Sequence, residues 1–235
     1  MRLILLMCLC FVLLNCEDKQ SNKKKKTETK QSTIEKQEKV VDSIGDDKKP
    51  FPVLNGLQSA MDFFLEYDKH HKENKVRITT DFGTIDLLLF NETKFHRANF
   101  IYLTKRGYFN GTQFYRVINN FIIQGGNSDD KKTAKKRASI GKYLLPTDTN
   151  RGYTHERGVI SMPSGEIDNP YKLASPFQFF IIQQQGGSHF LDGDYTVFGK
   201  VIAGMDVVDK IAAVKTDDSD WPLHNVYIRK VEIIN

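Results

Sequence analysis

The stretch that decides the fold is FYRVINNFIIQGG, at residues 114–126. Aromatic and β-branched residues dominate two short runs in and around it, 113–118 and 121–124, and the polar pair Asn119-Asn120 separates them. Such runs, bounded by turn residues, are typical of β-strands. The stretch therefore predicts two short neighbouring strands, the first of which carries an arginine.

Arg116 stands out because an unpaired guanidinium is costly to bury among apolar side chains. Side chains two positions apart in a strand share a face, so Arg116 is expected to lie with Phe114 and Ile118. By the same rule Ile122 lies with Gln124. One interpretation of Arg116 is an ion pair at the rim of a sheet, and the other is a functional cation beside an amide and apolar groups.

Short strands recur outside this stretch. They are predicted at 76–80, 85–90, 158–162, 177–183, 195–202 and 225–234. Apolar periodicity predicts helices at 94–106 and 205–214. Eight short strands with two distant helices favour a mainly β fold, a closed eight-stranded antiparallel β-barrel capped by two α-helices.

The N-terminus has the features of an export signal. Arg2 precedes twelve apolar residues, enough for a signal peptide and too few for a membrane-spanning helix. Leu-Leu-Asn-Cys at 13–16 resembles the lipobox of bacterial lipoproteins. We therefore predict a signal peptide at 1–15 and lipidation of Cys16, with an ordinary secretory signal as the alternative. Cleavage would remove Cys8 and Cys10, so no disulfide is expected.

Residues 16–54 are mostly charged and poor in large apolar groups, so they are predicted to be a disordered tether behind the lipid. A flexible coil of this length reaches about 35 Å. The lysines at 23–26 are interpreted as solvated, although contact with anionic headgroups is an alternative. The predicted location is the bacterial cell envelope, with the domain outside the cytoplasm, in the periplasm or at the cell surface.

Between the tether and the strands, apolar residues recur at helical spacing, as at Leu57, Met61, Phe64 and Leu65. They predict an amphipathic helix within 55–74, packed on a domain at 75–235. A helix lying on the membrane surface is the alternative.

Composition disfavours several functional classes. The net charge of +5 is modest, so nucleic-acid binding is not indicated. The six histidines show no metal-ligand spacing with cysteine or a carboxylate cluster, so no metal is expected. The basic run at 131–137 is interpreted as a solvated loop.

The stretch 114–126 resembles the signature of the cyclophilins. The likeness continues, in the same order, through GVISM at 158–162, FQFFI at 177–181, LDG at 191–193 and VFGKV at 197–201. It covers the chain from about residue 76 onward. The resemblance implies a cyclophilin-type barrel and a peptidyl-prolyl cis/trans isomerase that binds proline-containing polypeptides without a cofactor.

The resemblance also implies the site. Arg116 and Gln124 would be catalytic, with Arg116 donating to the twisting amide and Gln124 holding the peptide backbone. The other implied residues would bind the substrate: Phe121, Ile122, Met162, Pro163, Ser164, Gln178, Phe180, Phe190, Leu191 and Tyr195.

This chemistry needs a positioned donor and no nucleophile. Amide rotation costs about 18–20 kcal/mol because resonance is lost, and X-Pro bonds interconvert over about tens to hundreds of seconds. The proline nitrogen regains its lone pair as the bond twists. A donor aimed at that nitrogen stabilises the twisted state more than either planar state, which is catalysis.

Three positions depart from the usual cyclophilin pattern. Phe190 stands where many members have tryptophan, Tyr195 where they have histidine, and Ile122 where they have methionine. Each keeps an apolar wall, so activity is expected to survive. Because the tryptophan is associated with tight cyclosporin binding, weak binding of that drug is expected. Extra residues at 163–177 are expected to reshape the rim of the groove.

Two other functions fit the same features. One is a catalytically silent peptide-binding module, and the other is a structural lipoprotein whose tether is the functional part. A silent relative would be free to lose Arg116 and Gln124, and both are present. The sequence therefore favours an active isomerase.

Overall fold

The computed structural model describes residues 51–165 and 169–235. The predicted signal peptide, Cys16 and nearly all of the predicted tether lie outside these residues. Within the described residues, none of the helices has the length and apolar character needed to cross a bilayer.

Ten strands are present in the described residues. They are β1 (Leu54–Asn55), β2 (Lys75–Thr80), β3 (Gly83–Leu89), β4 (Gln113–Ile118), β5 (Ile122–Asn127), β6 (Gly141–Lys142), β7 (Val159–Ser161), β8 (Phe179–Ile182), β9 (Val197–Ala203) and β10 (Val226–Ile233). Eight close into a barrel in the order β10-β2-β3-β9-β7-β8-β5-β4, and every neighbouring pair is antiparallel. β1 and β6 form a separate parallel pair. The predicted eight-stranded antiparallel barrel is confirmed.

Four α-helices accompany the barrel in the described residues: α1 (Leu57–His70), α2 (Lys94–Lys105), α3 (Lys131–Ile140) and α4 (Met205–Ala212). The two predicted barrel helices correspond to α2 and α4, which pack on barrel strands. The two predicted capping helices are therefore confirmed, α1 lies within the predicted 55–74 helix, and α3 is an additional helix.

The predicted solvated loop at 131–137 is wrong, because α3 occupies it. The Asp130 carboxylate caps this helix by accepting a hydrogen bond from the backbone N–H of Lys132, at 2.8 Å. Lys136 is held from outside the helix, since its Nζ donates to the carbonyl oxygens of Gly107, Tyr108 and Asn110. Tertiary contacts thus stabilise a helix whose sequence is mostly charged.

The helix α1 belongs to the same hydrophobic core as the barrel. Leu54, Ala60, Phe64 and Tyr67 are at most 2 % exposed and lie in one cluster with the residues inside the barrel. The rings of Phe63, Phe64 and Tyr67 surround Tyr102 of α2, with centroids 5.1, 5.7 and 5.5 Å from it. Residues 54–70 are therefore an integral part of this fold.

A buried ion pair joins α1 to α2. Arg97 of α2 is only 1 % exposed, and its Nη2 donates to the carboxylate of Asp68 in α1. Its Nη1 donates to the carbonyl oxygens of His71 and Glu73, each at 3.1 Å. The guanidinium therefore fixes the C-terminal end of α1 against α2.

We expect His96 to make the protein less stable in mild acid. Its ring is fully buried, and neither nitrogen has a hydrogen-bond partner among the described residues. Burial lowers the pKa of His96 from its ordinary 6.5 to about 4. The unfolded chain therefore binds this proton at a higher pH than the folded chain. Stability contributed by neutral His96 is present above pH 6.5 and is lost as the pH falls toward 4.

The measurement is urea unfolding at about pH 7 and about pH 5. This histidine should reduce the free energy of unfolding by about 2 kcal/mol between them. His96→Phe, which lacks the titrating group, should show a pH dependence shallower by that amount. Equal pH dependence in the two proteins would contradict the expectation.

Candidate active site

Strand alternation builds an apolar patch on the outside of the barrel. Ile123, Ile160 and Ile181 point inward and belong to the interior core. The residues next to these and to inward-pointing Phe198 along the strands form a second, separate cluster, which we call the outer cluster: Ile122, Val159, Phe180, Ile182 and Val197. The predicted substrate residues Ile122 and Phe180 therefore belong to one surface, outside the barrel interior.

Partly buried rings and one leucine line the outer cluster: Phe90, Phe121, Tyr153, Leu191 and Tyr195. Tyr195 meets Phe180 edge to face, with ring centroids 5.9 Å apart. Phe190 stacks on Phe121 at 5.5 Å and is 70 % exposed. The predicted residues Phe121, Phe190, Leu191 and Tyr195 thus come together as the wall of this surface.

A hydrogen-bonded group of three side chains borders the outer cluster, and we call it the amide network: Tyr115, Gln124 and Gln178. The Tyr115 hydroxyl donates to Gln178 Oε1 at 2.7 Å and accepts from Gln124 Nε2. Burial raises the pKa of Tyr115 to about 12, so its hydroxyl remains a donor at neutral pH. The network orients both glutamine amides. Gln124 Oε1 makes no hydrogen bond to any described residue.

Arg116 lies directly across the ladder from Gln124. Its side chain is 40 % exposed, and Nε lies 3.3 Å from Oδ2 of Asp220. Neither terminal nitrogen of its guanidinium donates a hydrogen bond to a described side chain or carbonyl oxygen. A cation and an oriented amide thus stand side by side, with donors and an acceptor available to a ligand.

The expectation that Arg116 shares a face with Phe114 is wrong. The pairing of β4 with β5 shifts register between these two residues, which marks a β-bulge. Phe114 therefore points into the core, against Phe179 and close to Gly125. Arg116 points outward to Asp220.

Three predicted binding residues belong neither to the outer cluster and its wall nor to the amide network. Met162 is 1 % exposed and packs in the interior core. The carbonyl oxygen of Pro163 accepts from the N–H of Ser175, and Ser164 forms a β-bridge with Ala174. Pro163 and Ser164 therefore close the base of the extra loop.

That loop reaches the rim of the site. Lys172 Nζ lies 5.4 Å from the ring centroid of Tyr195 and pairs with Asp194 at 2.6 Å. The prediction that the extra residues reshape the rim agrees with this contact.

Ser161, His155 and Asp192 have the hydrogen-bonding order of a hydrolase triad. Ser161 Oγ lies 3.0 Å from His155 Nε2, and His155 Nδ1 lies 2.7 Å from the Asp192 carboxylate. Burial lowers the pKa of His155, although the hydrogen bond to Asp192 opposes that shift. The serine is fully buried and His155 is 1 % exposed, so no substrate can reach the hydroxyl. The neutral imidazole instead anchors the segment that carries Leu191.

Sequence reasoning missed Tyr115 and Asp220. Tyr115 stood in the quoted stretch, but the bulge that sends it to the amide network could not be foreseen. Asp220 gave no signal, because its partner lies in another part of the chain.

Within the described residues there is no group of three or more histidine, cysteine or acidic side chains that could hold a metal. A cavity of about 320 Å³ beside Gly56 and Tyr143 contains none of the candidate residues.

A family model described as "Cyclophilin type peptidyl-prolyl cis-trans isomerase/CLD" matches residues 75–233. The match covers most of the chain and the whole of the site above. It defines the class of protein, an isomerase of X-Pro peptide bonds. The chain belongs to the cyclophilin-type peptidyl-prolyl cis-trans isomerase family, as the resemblance predicted.

Relatives come from bacteria and eukaryotes. A "Peptidyl-prolyl cis-trans isomerase" of Acinetobacter baylyi is 38 % identical over 167 residues, which cover 68 % of this chain and 82 % of the relative. A "Peptidyl-prolyl cis-trans isomerase-like 2" of Rhizopus delemar is 37 % identical over 71 % of this chain, but the match spans only 30 % of that longer protein.

Among solved structures, a cyclophilin-type isomerase of Cryptosporidium parvum superposes with a TM-score of 0.58 at 28 % identity. The match covers 69 % of this chain and 98 % of that one. The same protein has been crystallised in the presence of the dipeptide Ala-Pro, with the same TM-score and identity.

Proposed function

We propose that the chain catalyses rotation about X-Pro peptide bonds in proteins outside the cytoplasm, and thereby assists their folding. One observation carries the assignment of the site. Arg116 and the oriented amide of Gln124 face each other across β4 and β5, at the edge of the outer cluster. Family membership supports the reaction, and the export features of the N-terminus support the location.

In this mechanism the proline ring rests on the outer cluster, against Ile122 and Phe180. Gln124, held by Tyr115, accepts a backbone N–H of the peptide and fixes it relative to the ring. Both ends of the peptide are restrained while the amide between them stays free to turn. Binding energy along the peptide is thereby used to position the bond that rotates.

Arg116 acts when the bond twists. Its terminal nitrogens donate toward the amide, where the proline nitrogen carries a lone pair only in the twisted state. The apolar wall around this point lowers the local dielectric and strengthens the interaction. The donor therefore stabilises the transition state more than either planar isomer.

The test is a protease-coupled isomerisation assay on short X-Pro peptides with the purified chain. Acceleration of the cis-to-trans step in proportion to enzyme concentration is the expected result. If the chain binds the peptides but does not accelerate isomerisation, the silent binding module is favoured. If it neither binds nor accelerates, the proposed function is contradicted.

We further propose that Cys16 is lipidated and that the lipid holds the domain at a membrane. Cys16→Ala should move the chain from the membrane to the soluble fraction while kcat/KM of the domain stays unchanged. Acyl chains contribute about 0.8 kcal/mol per buried CH₂, an anchor that a polar segment cannot replace. Cell fractionation and the peptide assay on both forms give the measurement.

The N-terminus must be sequenced in the same samples. A Cys16→Ala chain that stays on the membrane after cleavage of its signal would contradict the lipid anchor. If the signal is uncleaved, the apolar stretch itself explains retention.

Weak cyclosporin binding is proposed on the basis of Phe190. A phenyl ring offers no N–H donor, whereas the indole of tryptophan does. A cyclosporin titration of the assay that gave tight, stoichiometric inhibition would contradict this proposal.

A further inference from the structure

The turn at residues 217–221 lies against both polar parts of the site, although it is far from them in sequence. It is tightly closed. The Asp217 carboxylate accepts from the N–H groups of Ser219 and Trp221, each at 2.9 Å. The N–H of Asp217 donates to the carbonyl oxygen of Trp221, also at 2.9 Å. These three hydrogen bonds close the turn.

The first link runs from this turn to Arg116. The backbone of Asp220 is fixed to β4, since its carbonyl oxygen accepts from the N–H of Val117 at 2.8 Å. Its carboxylate lies 3.3 Å from Arg116 Nε. Nε is the guanidinium nitrogen nearest the chain, and neither terminal nitrogen donates a hydrogen bond to a described residue, so both can donate to a ligand.

The backbone of Asp220 is itself unusual, with a φ of +65°. Few non-glycine residues adopt this conformation, and aspartate and asparagine are among those that tolerate it best. The conformation directs the carboxylate toward Arg116 while the carbonyl oxygen stays on β4.

The second link runs from the same turn to the amide network. The ring of Trp221 lies against that of Tyr115, with centroids 5.8 Å apart and planes at 48°. Tyr115 in turn orients Gln124 and Gln178. One turn thus braces the cation and the amide network from the same side.

We propose that Asp220 is a positioning residue for isomerisation: its carboxylate holds the guanidinium of Arg116 in the orientation that reaches the twisting amide, and Trp221 braces Tyr115 beside it. This inference rests on the proposed function, because it assigns Asp220 a role through Arg116. Asp220 itself does not touch the substrate. Without the Asp220 carboxylate, Arg116 would still contact the bound peptide, but its guanidinium would point at the twisting amide for less of the time. We therefore expect kcat to fall by a larger factor than KM changes.

The experiment compares Asp220→Gly and Asp220→Asn in the full-length chain, purified in detergent. Glycine accepts the φ of +65° and removes only the side chain, whereas asparagine keeps a side chain of the same shape with an oxygen beside Nε. Asp220→Gly should lower kcat for X-Pro isomerisation by about fivefold to tenfold, with KM little changed. Asp220→Asn should restore most of that loss.

Two controls separate positioning from other effects. Asp218→Gly removes an exposed carboxylate from the same turn and should retain wild-type kinetics. In an Arg116→Ala background, Asp220→Gly should cause no further loss, because its effect passes through Arg116. Trp221 is the only tryptophan of the chain, so its emission reports whether the turn keeps its structure in each variant.

An active wild-type chain whose kcat/KM falls with Arg116→Ala but not with Asp220→Gly would overturn this inference and leave the proposed function intact. Additive losses in the double variant would overturn it as well. A wild-type chain without isomerase activity would overturn both together.

Discussion

Arg116→Ala is expected to lower kcat/KM for X-Pro isomerisation by at least about tenfold, and up to about a hundredfold, while the barrel stays folded. One preorganised charged donor in a partly desolvated site is worth a few kcal/mol of transition-state stabilisation. The loss should be mainly in kcat, because the terminal nitrogens act when the amide twists. The measurement is the protease-coupled assay with an X-Pro peptide series.

The fold should tolerate this change because the side chain is 40 % exposed and its ion pair with Asp220 is likewise open to solvent. Such exposed pairs contribute at most about 1 kcal/mol. Arg229→Ala is the matched control, since Arg229 also contacts a carboxylate through Nε, that of Asp81, but lies outside the site. It should keep wild-type kinetics. If Arg116→Ala keeps a kcat/KM near that of the wild type, Arg116 has no catalytic role.

Much of the fold could be predicted because its signals are local. Period-two alternation is written into each strand, and it correctly separates Ile122 from Ile123 on opposite faces of β5. It failed in β4, because a bulge depends on how two strands pair. The faces of Phe114 and Arg116 therefore could not be derived from their spacing.

The failure to predict α3 has a similar cause. The charged sequence of α3 lacks an apolar stripe, and the helix is held by contacts of Lys136 with carbonyl oxygens more than twenty residues away. Apolar periodicity describes only neighbouring residues of the sequence, so it cannot predict a helix that is stabilised by tertiary contacts.

The site, like the fold, was predicted in part. Resemblance named two residues of the outer cluster, Ile122 and Phe180, and the polar pair Arg116 and Gln124, which the structure brings together. It also proposed Met162, whose side chain packs in the interior core. Asp220 escaped because it lies far from Arg116 in sequence, in the turn before β10, and only the folded chain brings the two side chains together.

The buried pair of Asp68 and Arg97 links α1, which precedes the family region, to α2 within it. Arg97 lies within the region that the family model covers, while Asp68 precedes it. Through this contact the stability of the barrel domain is expected to depend on α1. Removing only one of two buried opposite charges leaves the other without compensation.

Asp68→Ala is expected to reduce the free energy of unfolding by about 3–5 kcal/mol, since the guanidinium of Arg97 would remain buried with only two carbonyl partners. Urea unfolding of the purified chain at neutral pH measures the change. Asp62→Ala, an exposed carboxylate on the same helix, should change stability by less than about 0.5 kcal/mol.

A second variant separates the lost charge pair from a general weakening of α1. Asp68→Leu combined with Arg97→Met replaces both charges with apolar groups of similar size. Such replacements of a buried pair are often neutral or stabilising, so the double variant should recover most of the loss of Asp68→Ala. If Asp68→Ala unfolds at the wild-type urea concentration, the pair does not hold α1. If the double variant is as unstable as Asp68→Ala, the packing of this helix end matters and the charge does not.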